Sequence, residues 1–386
     1  MKALPLLLCL LPLSASAHQM KPSDDELVRF SLFSNSTLGL SSNEAFDQQV
    51  HGHDPREGLN LQALELGLYA NITDSLLAYG NGVAFLQGDN WSAEWEEGYL
   101  NWIRLPHGIE VKAGRFFNDI GTENSKHIHE WEYVNANLTT SQFFGEDGLI
   151  TDGAELSWYY VYENYGVVGL ALNAGRAVTH GEHESGGHDH AENLGTFAGD
   201  VASARLTVHH YVDDTRQHFF GLNAVIGENG YERSSFLLGF DYNYTWSQRG
   251  NEKDGLKLDT GFELMFRNVG WQHEDAPTFT GATEQLAAMA HAKLQLTPEW
   301  HLGARYEWME GVSDGGLLVG GEIEHAFDSE QRQRFSLALT RSFSKGTDFS
   351  GYARLQYSHD EAGGESADSI WLQFSFSFGV GMGGND

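Results

Sequence analysis

The chain has 386 residues, with 54 acidic against 23 basic side chains and a formal charge of −31. That balance argues against nucleic acid and anionic substrates as partners and would draw cations toward a pore mouth. A single cysteine, Cys9, leaves no disulfide scaffold and no thiolate metal site, and 45 glycines with only 7 prolines suit many strands joined by turns.

The chain opens with Lys2, an apolar run from Leu4 to Leu13 and the small residues Ala15-Ser16-Ala17. This is the pattern of a secretory leader, too short to span a bilayer as a helix. The expected organisation is therefore a signal peptide over 1–17 and one domain over 18–386, with Cys9 inside the leader. A new terminus at His18-Gln19-Met20 is first of all the point where the peptidase cuts, and could secondarily chelate copper through its amine and imidazole. No later segment approaches the roughly 18 uninterrupted apolar residues of a membrane helix, so a membrane reading must be a β-barrel reading. The mean hydropathy of −0.38 is no objection, because half of each strand and all loops of such a barrel are polar.

In chain order, strands are predicted near 26–33, 61–71, 75–86, 93–105, 109–116, 153–162, 166–175, 201–211, 217–227, 234–246, 255–267, 284–296, 299–310, 333–343, 348–358 and 369–378. A further candidate at 316–327 alternates poorly and is assigned to an external loop, since a single-chain barrel with both ends in the periplasm needs an even strand count. The alternation is plain in several of them. Phe236, Leu238, Phe240 and Tyr242 alternate with Leu237, Gly239 and Asp241, Phe262 and Leu264 with Asp259, Gly261 and Glu263, and Phe374, Phe376 and Phe378 with Gln373, Ser375 and Ser377.

Successive strand side chains point to opposite faces, and charges fall on one face only. An outward Lys or Arg at the bilayer midplane would cost about 2–4 kcal/mol, so Glu65, Asp241, Asp259, Glu263, Glu307, Lys257 and Arg305 are expected to line the lumen. Short turns at 71–74, 105–108, 163–166, 213–216 and 297–299 interleave with long polar segments near 34–59, 117–151, 176–198 and 268–283. Short periplasmic turns and long external loops fix the orientation. The fold class is thus all-β, a transmembrane antiparallel barrel of about 16 strands in the bacterial outer membrane. A secreted sandwich is the soluble alternative.

The stretch KAGRFFNDIGTENSKHIHEWEYVNANL, from Lys112, followed by FFGEDGLITDGAELSW, resembles a family of porin-like outer-membrane proteins often labelled zinc-regulated outer-membrane receptors. The likeness extends more loosely through HLGARYEW and YARLQY. It implies metal-linked transport, lipid and lipopolysaccharide surroundings, insertion by the barrel-assembly machinery and, by analogy with porins, a homotrimer. The chain departs from the energised receptors sharing that label, because it cannot hold both a plug domain and a 22-stranded barrel. The resemblance also implies that segment 117–151 folds into the lumen and narrows it. That would place His127, His129, Glu130 and Trp131 near the constriction. There an H-x-H pair could offer imidazoles to zinc or copper, with Glu123, Glu130 or Glu132 as oxygen ligands, or else pin the loop to the wall by hydrogen bonds.

A denser cluster, THGEHESGGHDHAEN, gathers His180, His183, His188 and His190 with Glu182, Glu184 and Asp189 in a glycine-rich external loop. Such tracts hold divalent metal weakly and exchange it quickly, or else this one is a solvated polar tip with incidental histidines; His51 and His53 could extend the site. HExxH, GxSxG, P-loop and cysteine metal motifs are missing, though His209, His210 and His218 keep an enzymatic alternative open. The expected function is passive passage of small solutes with a bias toward divalent zinc or copper. Bound metal is expected as cargo and no cofactor is required. The principal alternative is a non-conducting metal receptor or sink, and an outer-membrane enzyme is the more remote one.

Overall fold

The computed structural model describes residues 27–42, 55, 57–87, 90–145, 148–162, 165–178, 194–250, 254–273, 276–313, 317–319, 322–325, 327–345 and 348–382. The proposed leader, His51, His53 and the whole 180–190 cluster lie outside the described residues. Twenty strands follow in order: β1 (Val28–Ser41), β2 (Gly58–Thr73), β3 (Leu76–Gln87), β4 (Asn90–Leu105), β5 (Ile109–Phe117), β6 (Ile150–Tyr162), β7 (Gly166–Ala177), β8 (Phe197–Asp213), β9 (Arg216–Asn229), β10 (Ser234–Ser247), β11 (Lys257–Gln272), β12 (Thr280–Gln295), β13 (Trp300–Met309), the short β14 (Val312–Ser313), β15 (Leu317–Val319), β16 (Glu322–Glu324) and β17 (Asp328–Ser329), then β18 (Arg332–Lys345), β19 (Phe349–Ala362) and β20 (Glu365–Met382).

Sixteen of these, β1 to β13 and β18 to β20, form one closed antiparallel barrel. Closure is made by β1 against β20, in unbroken register from Val28–Met382 to Ser41–Ser369. The barrel wall therefore has no free edge, which is what allows its strands to cross a bilayer. The span 316–327 stays out of the wall, where β15 pairs only with β16.

The strand faces follow the alternation. On β20, Phe378 is 50% exposed while Gln373, facing the interior, is 0%. Leu222, Leu238, Leu264 and Phe376 likewise stand outside, whereas Glu65, Asp241, Glu263 and Glu307 are buried inside. The apolar outer belt and the sixteen-stranded closed wall place the protein in the bacterial outer membrane.

Two features depart from the sequence expectation. Strands run further than the alternation: β1 continues to Ser41, β11 to Gln272, and β12 begins at Thr280, so the expected loops 34–59 and 268–283 shrink. The backbone ladder continues beyond the lipid belt, where outward residues no longer have to be apolar. Three external connections, at 88–89, 230–233 and 363–364, are also short.

Second, the interior is not polar throughout. Leu237, Met265, Ala287 and Met309 face inward and pack with Ile120, Phe143, Phe144 and Leu149. These wall residues have an apolar partner because the segment between β5 and β6 has entered the barrel.

Candidate functional site

The chain between Phe117 and Ile150 crosses the lumen. Among the described residues it makes a 3-10 turn at Ile128–Glu130 and a helix, α1 (Leu138–Phe144). Asn137 caps α1, its side chain accepting from Thr140 N at 3.1 Å. The segment approaches β11 so closely at Gly121, where φ is +68°, that a Cβ there would run into the Glu263 carboxylate. Glycine satisfies both the backbone angle and the contact.

The wall grips this backbone through its own charges. Carboxylates and one amide accept from loop N–H groups: Glu263 from Thr122 (2.7 Å), Glu65 from His129 (3.1 Å), Gln356 from Val134 (2.7 Å) and Glu307 from Leu138 (2.7 Å). Arginines donate to loop carbonyls: Arg354 to Trp131 (2.9 Å), Arg305 to Asn135 (3.3 Å), Arg334 to Ala136 (3.1 Å) and Arg267 to Gln142 (3.0 Å). Irregular backbone buried in a barrel must have its polar groups satisfied. The inward wall charges do this, from β2, β11, β13, β18 and β19.

The two histidines sit at the junction with β2, β3 and β4. His127 Nδ1 lies 3.1 Å from Glu96 Oε2 and its Nε2 2.8 Å from Glu97 Oε2. His129 Nδ1 lies 2.7 Å from Glu65 Oε2, and its ring stacks between Phe33 and His127. Burial disfavours a charged imidazolium, but the hydrogen bonds and charges of Glu96 and Glu97 outweigh it and hold His127 well above the ordinary histidine range.

The oxygen partners differ from those expected in sequence. Glu123 pairs with Lys126 at 2.8 Å, Glu130 accepts from His127 N at 3.2 Å, and Glu132 pairs with Lys293 at 2.6 Å. The carboxylates that meet the imidazoles come instead from the wall, because Glu130 and Glu132 are drawn to nearer donors.

Glu96 and Glu97 were missed in the sequence because adjacent strand residues should face opposite ways. The β3–β4 register pairs Asn81 with Glu97 and Gly82 with Trp95, so Glu96 is the extra residue of a bulge. Both glutamates therefore turn inward and are buried. The readable signal was a pair of consecutive charges, Glu96-Glu97, in an otherwise alternating strand.

Of the other expected lumen residues, Asp241 binds Arg205 at 3.0 Å, and Arg205 reaches Asp119 of the loop at 3.5 Å. Asp259 accepts from Thr245 at 2.8 Å and meets His291 at 3.2 Å, nearer the turn end of β11. Lys257 is half-buried where β11 begins. Trp131 borders both the apolar cluster of Ala63, Val83, Phe85 and Ile128 and a large cavity. That cavity, about 1030 Å³, lies between the loop and the turn end of the barrel, lined by Trp131, Glu132, Lys293, Glu299, Arg341 and Arg354 among others.

No family model matches the chain. It is 34% identical over 142 residues to an uncharacterised protein of Aquifex aeolicus, covering 35% of this chain and 28% of that relative. The chain thus matches under a third of that relative's length. Solved structures with the same fold include an anion-selective porin from Comamonas acidovorans (12% identity, 91% of this chain and 99% of that one, TM-score 0.53). The outer-membrane channel DcaP of Acinetobacter baumannii aligns over 93% and 99% (10% identity, TM-score 0.53), and OmpT, an outer-membrane protein of Vibrio cholerae, over 92% and 99% (12% identity, TM-score 0.51). These likenesses show the fold, a closed β-barrel of the outer-membrane type. They do not support the zinc-receptor label.

Proposed function

We propose that the protein is an outer-membrane channel for passive passage of small solutes, narrowed by the segment 118–149 and weakly selective for cations. The observation that carries this reading is the cavity of about 1030 Å³ that rises from the turn end of the barrel to the inward loop. The same fold in a porin and in the DcaP channel supports it. Cation preference draws its support from the formal charge of −31. At the cavity itself Lys293 pairs with Glu132 at 2.6 Å and Arg341 with Glu299 at 3.6 Å, so local charges largely cancel. Glu65, Asp241, Glu263, Glu307 and Arg305 are engaged with loop or wall and contribute little field to a passing ion.

Divalent zinc or copper is the cation class that the His-rich tract 180–190 would collect, rapidly and weakly, at the outer mouth. The apolar belt suits lipid and lipopolysaccharide contacts, and insertion by the barrel-assembly machinery and trimer formation belong to the same proposal. Single-channel recording with reversal potentials in a salt gradient tests it.

A second reading, a non-conducting metal receptor, is favoured by one observation: the loop is bonded to nearly opposite walls, from Glu65 on β2 to Glu263 on β11. Recording separates the two, since a receptor would pass no current. An enzymatic reading has less support. His210 and His218 bond to Tyr162 and Tyr242 within an aromatic belt beside Phe220, a setting suited to the membrane interface.

A further inference from the structure

We propose that the junction of Glu65, Glu96 and His127 is a site for a divalent transition-metal ion of the zinc class, which locks the inward segment onto β2, β3 and β4. It is separate from the His-rich tract and independent of whether the channel conducts. One carboxylate oxygen of each glutamate and one ring nitrogen of His127 lie within 4.8 Å of one another. His127 Nδ1 is 3.1 Å from Glu96 Oε2 and 3.9 Å from Glu65 Oε2. A tetrahedral zinc ion with bonds near 2.0–2.1 Å spaces its ligand atoms about 3.3 Å apart, so small side-chain shifts would complete the shell.

The supporting groups are those a metal site needs. With a metal ion in place of the Nδ1 proton, Glu97 Oε2, 2.8 Å from His127 Nε2, would accept the Nε2–H and leave Nδ1 as the ligand atom. A carboxylate behind a ligating imidazole fixes both its tautomer and its orientation. His129 holds Glu65 in the same manner, its backbone N–H and Nδ1 meeting the two carboxylate oxygens at 3.1 and 2.7 Å.

Asn81 supplies an independent sign of a ligand. Its side chain is 1% exposed, its amide nitrogen lies 2.9 Å from both Glu96 Oε2 and His127 Nδ1, and its Oδ1 has no hydrogen-bond partner. Amide oxygen and nitrogen exchange places on a half-turn of the side chain. That turn brings an orphaned carbonyl oxygen to the point where the three ligand atoms meet, as a fourth donor.

Local charge points the same way. Glu65, Glu96 and Glu97 are buried around His127, beside the largely buried Lys112 that faces Glu97, and a divalent ion displacing the His127 proton would be attracted to these carboxylates. A mixed imidazole and carboxylate set favours zinc-class ions over calcium or magnesium, which take oxygen donors alone.

The test uses the full chain, refolded in detergent with His180, His183, His188 and His190 replaced by Ala so that the external tract is silent. The protein is stripped with chelator, loaded with Co²⁺ and desalted, with folding checked by heat-modifiable gel mobility. The expected result is one cobalt per folded barrel, with a visible d–d band that Zn²⁺ displaces. Glu96→Gln and His127→Gln should each weaken retention at least about tenfold, and Glu97→Gln about 10–100-fold as an outer partner. A folded four-His parent that retains no cobalt overturns the proposal even if the junction variants fail to fold. So does full retention by folded Glu96→Gln and His127→Gln proteins.

Discussion

Arg305 and Glu307 stand two positions apart on the inward face of β13, ion-paired at 3.0 Å, and hold opposite poles of one stretch of loop backbone. Arg305 donates to the Asn135 carbonyl and Glu307 accepts from the Leu138 N–H. Wall charges that look in sequence like a selectivity lining therefore act first as the clamp of an inward segment.

Removing one half of this pair leaves the other buried and uncompensated. Glu307→Ala should destabilise the loop by about 3–5 kcal/mol, read as faster hydrogen exchange of the Leu138–Phe144 amides while the barrel amides keep their protection. The double variant Arg305→Met/Glu307→Leu should cost less than the two single changes summed, since it leaves no orphaned charge. Unaltered exchange in Glu307→Ala would show that the clamp does not hold α1.

The outer belt makes a separate prediction. Leu222, 53% exposed midway along β9, faces lipid, and Leu222→Arg should lower folding stability in vesicles by about 2–4 kcal/mol. A neutral result would mean that this face is not in the bilayer core.

How far the sequence could be read follows the same division. Phe374 and Phe376 against Gln373 and Ser375 announce lipid outside and polarity inside, because a strand between two unlike solvents has a strict period of two. Leu237 and Met265 break that rule, since their partners Phe143 and Ile120 arrive from a segment far away in the chain. Glu96 is re-aimed inward by a bulge set by its pairing partner, of which the sequence carries only the trace of two consecutive charges, Glu96-Glu97. Of the clamp, Glu65, Glu263, Arg305 and Glu307 are expected from sequence as charged and lumen-facing, but Arg267, Arg334, Arg354 and Gln356 are not singled out, nor is what any of them grips.

Protonation of the loop gives a pH window. Burial works against the Glu132 carboxylate, but Lys293 and Lys126 hold its pKa down at about 2. A carboxyl depressed in the folded state contributes stability that is present above its ordinary value, about 4.5, and lost as pH falls through about 2. A spin label at Thr140→Cys should keep the same mobility from pH 7 to pH 5, with any release of this pin confined below about pH 4.5. Loosening between pH 7 and 5 that Glu132→Gln abolishes would contradict that assignment.

The His-rich tract predicts loss of metal binding without loss of fold. Replacing His180, His183, His188 and His190 with Ala should remove the weak, fast-exchanging fraction of zinc or copper binding at neutral pH and leave thermal stability unchanged, as expected if the glycine-rich tract is an external loop. Unchanged isothermal titration would reduce the tract to a polar loop.

Single-channel recording of the folded full chain in a planar bilayer tests the central claim most directly. Discrete conductance steps with a mild cation preference that fades at high ionic strength are expected, with larger steps when Arg305→Ala and Glu307→Ala together release the loop. A heat-modifiable, correctly inserted barrel that passes no current in either form would contradict it.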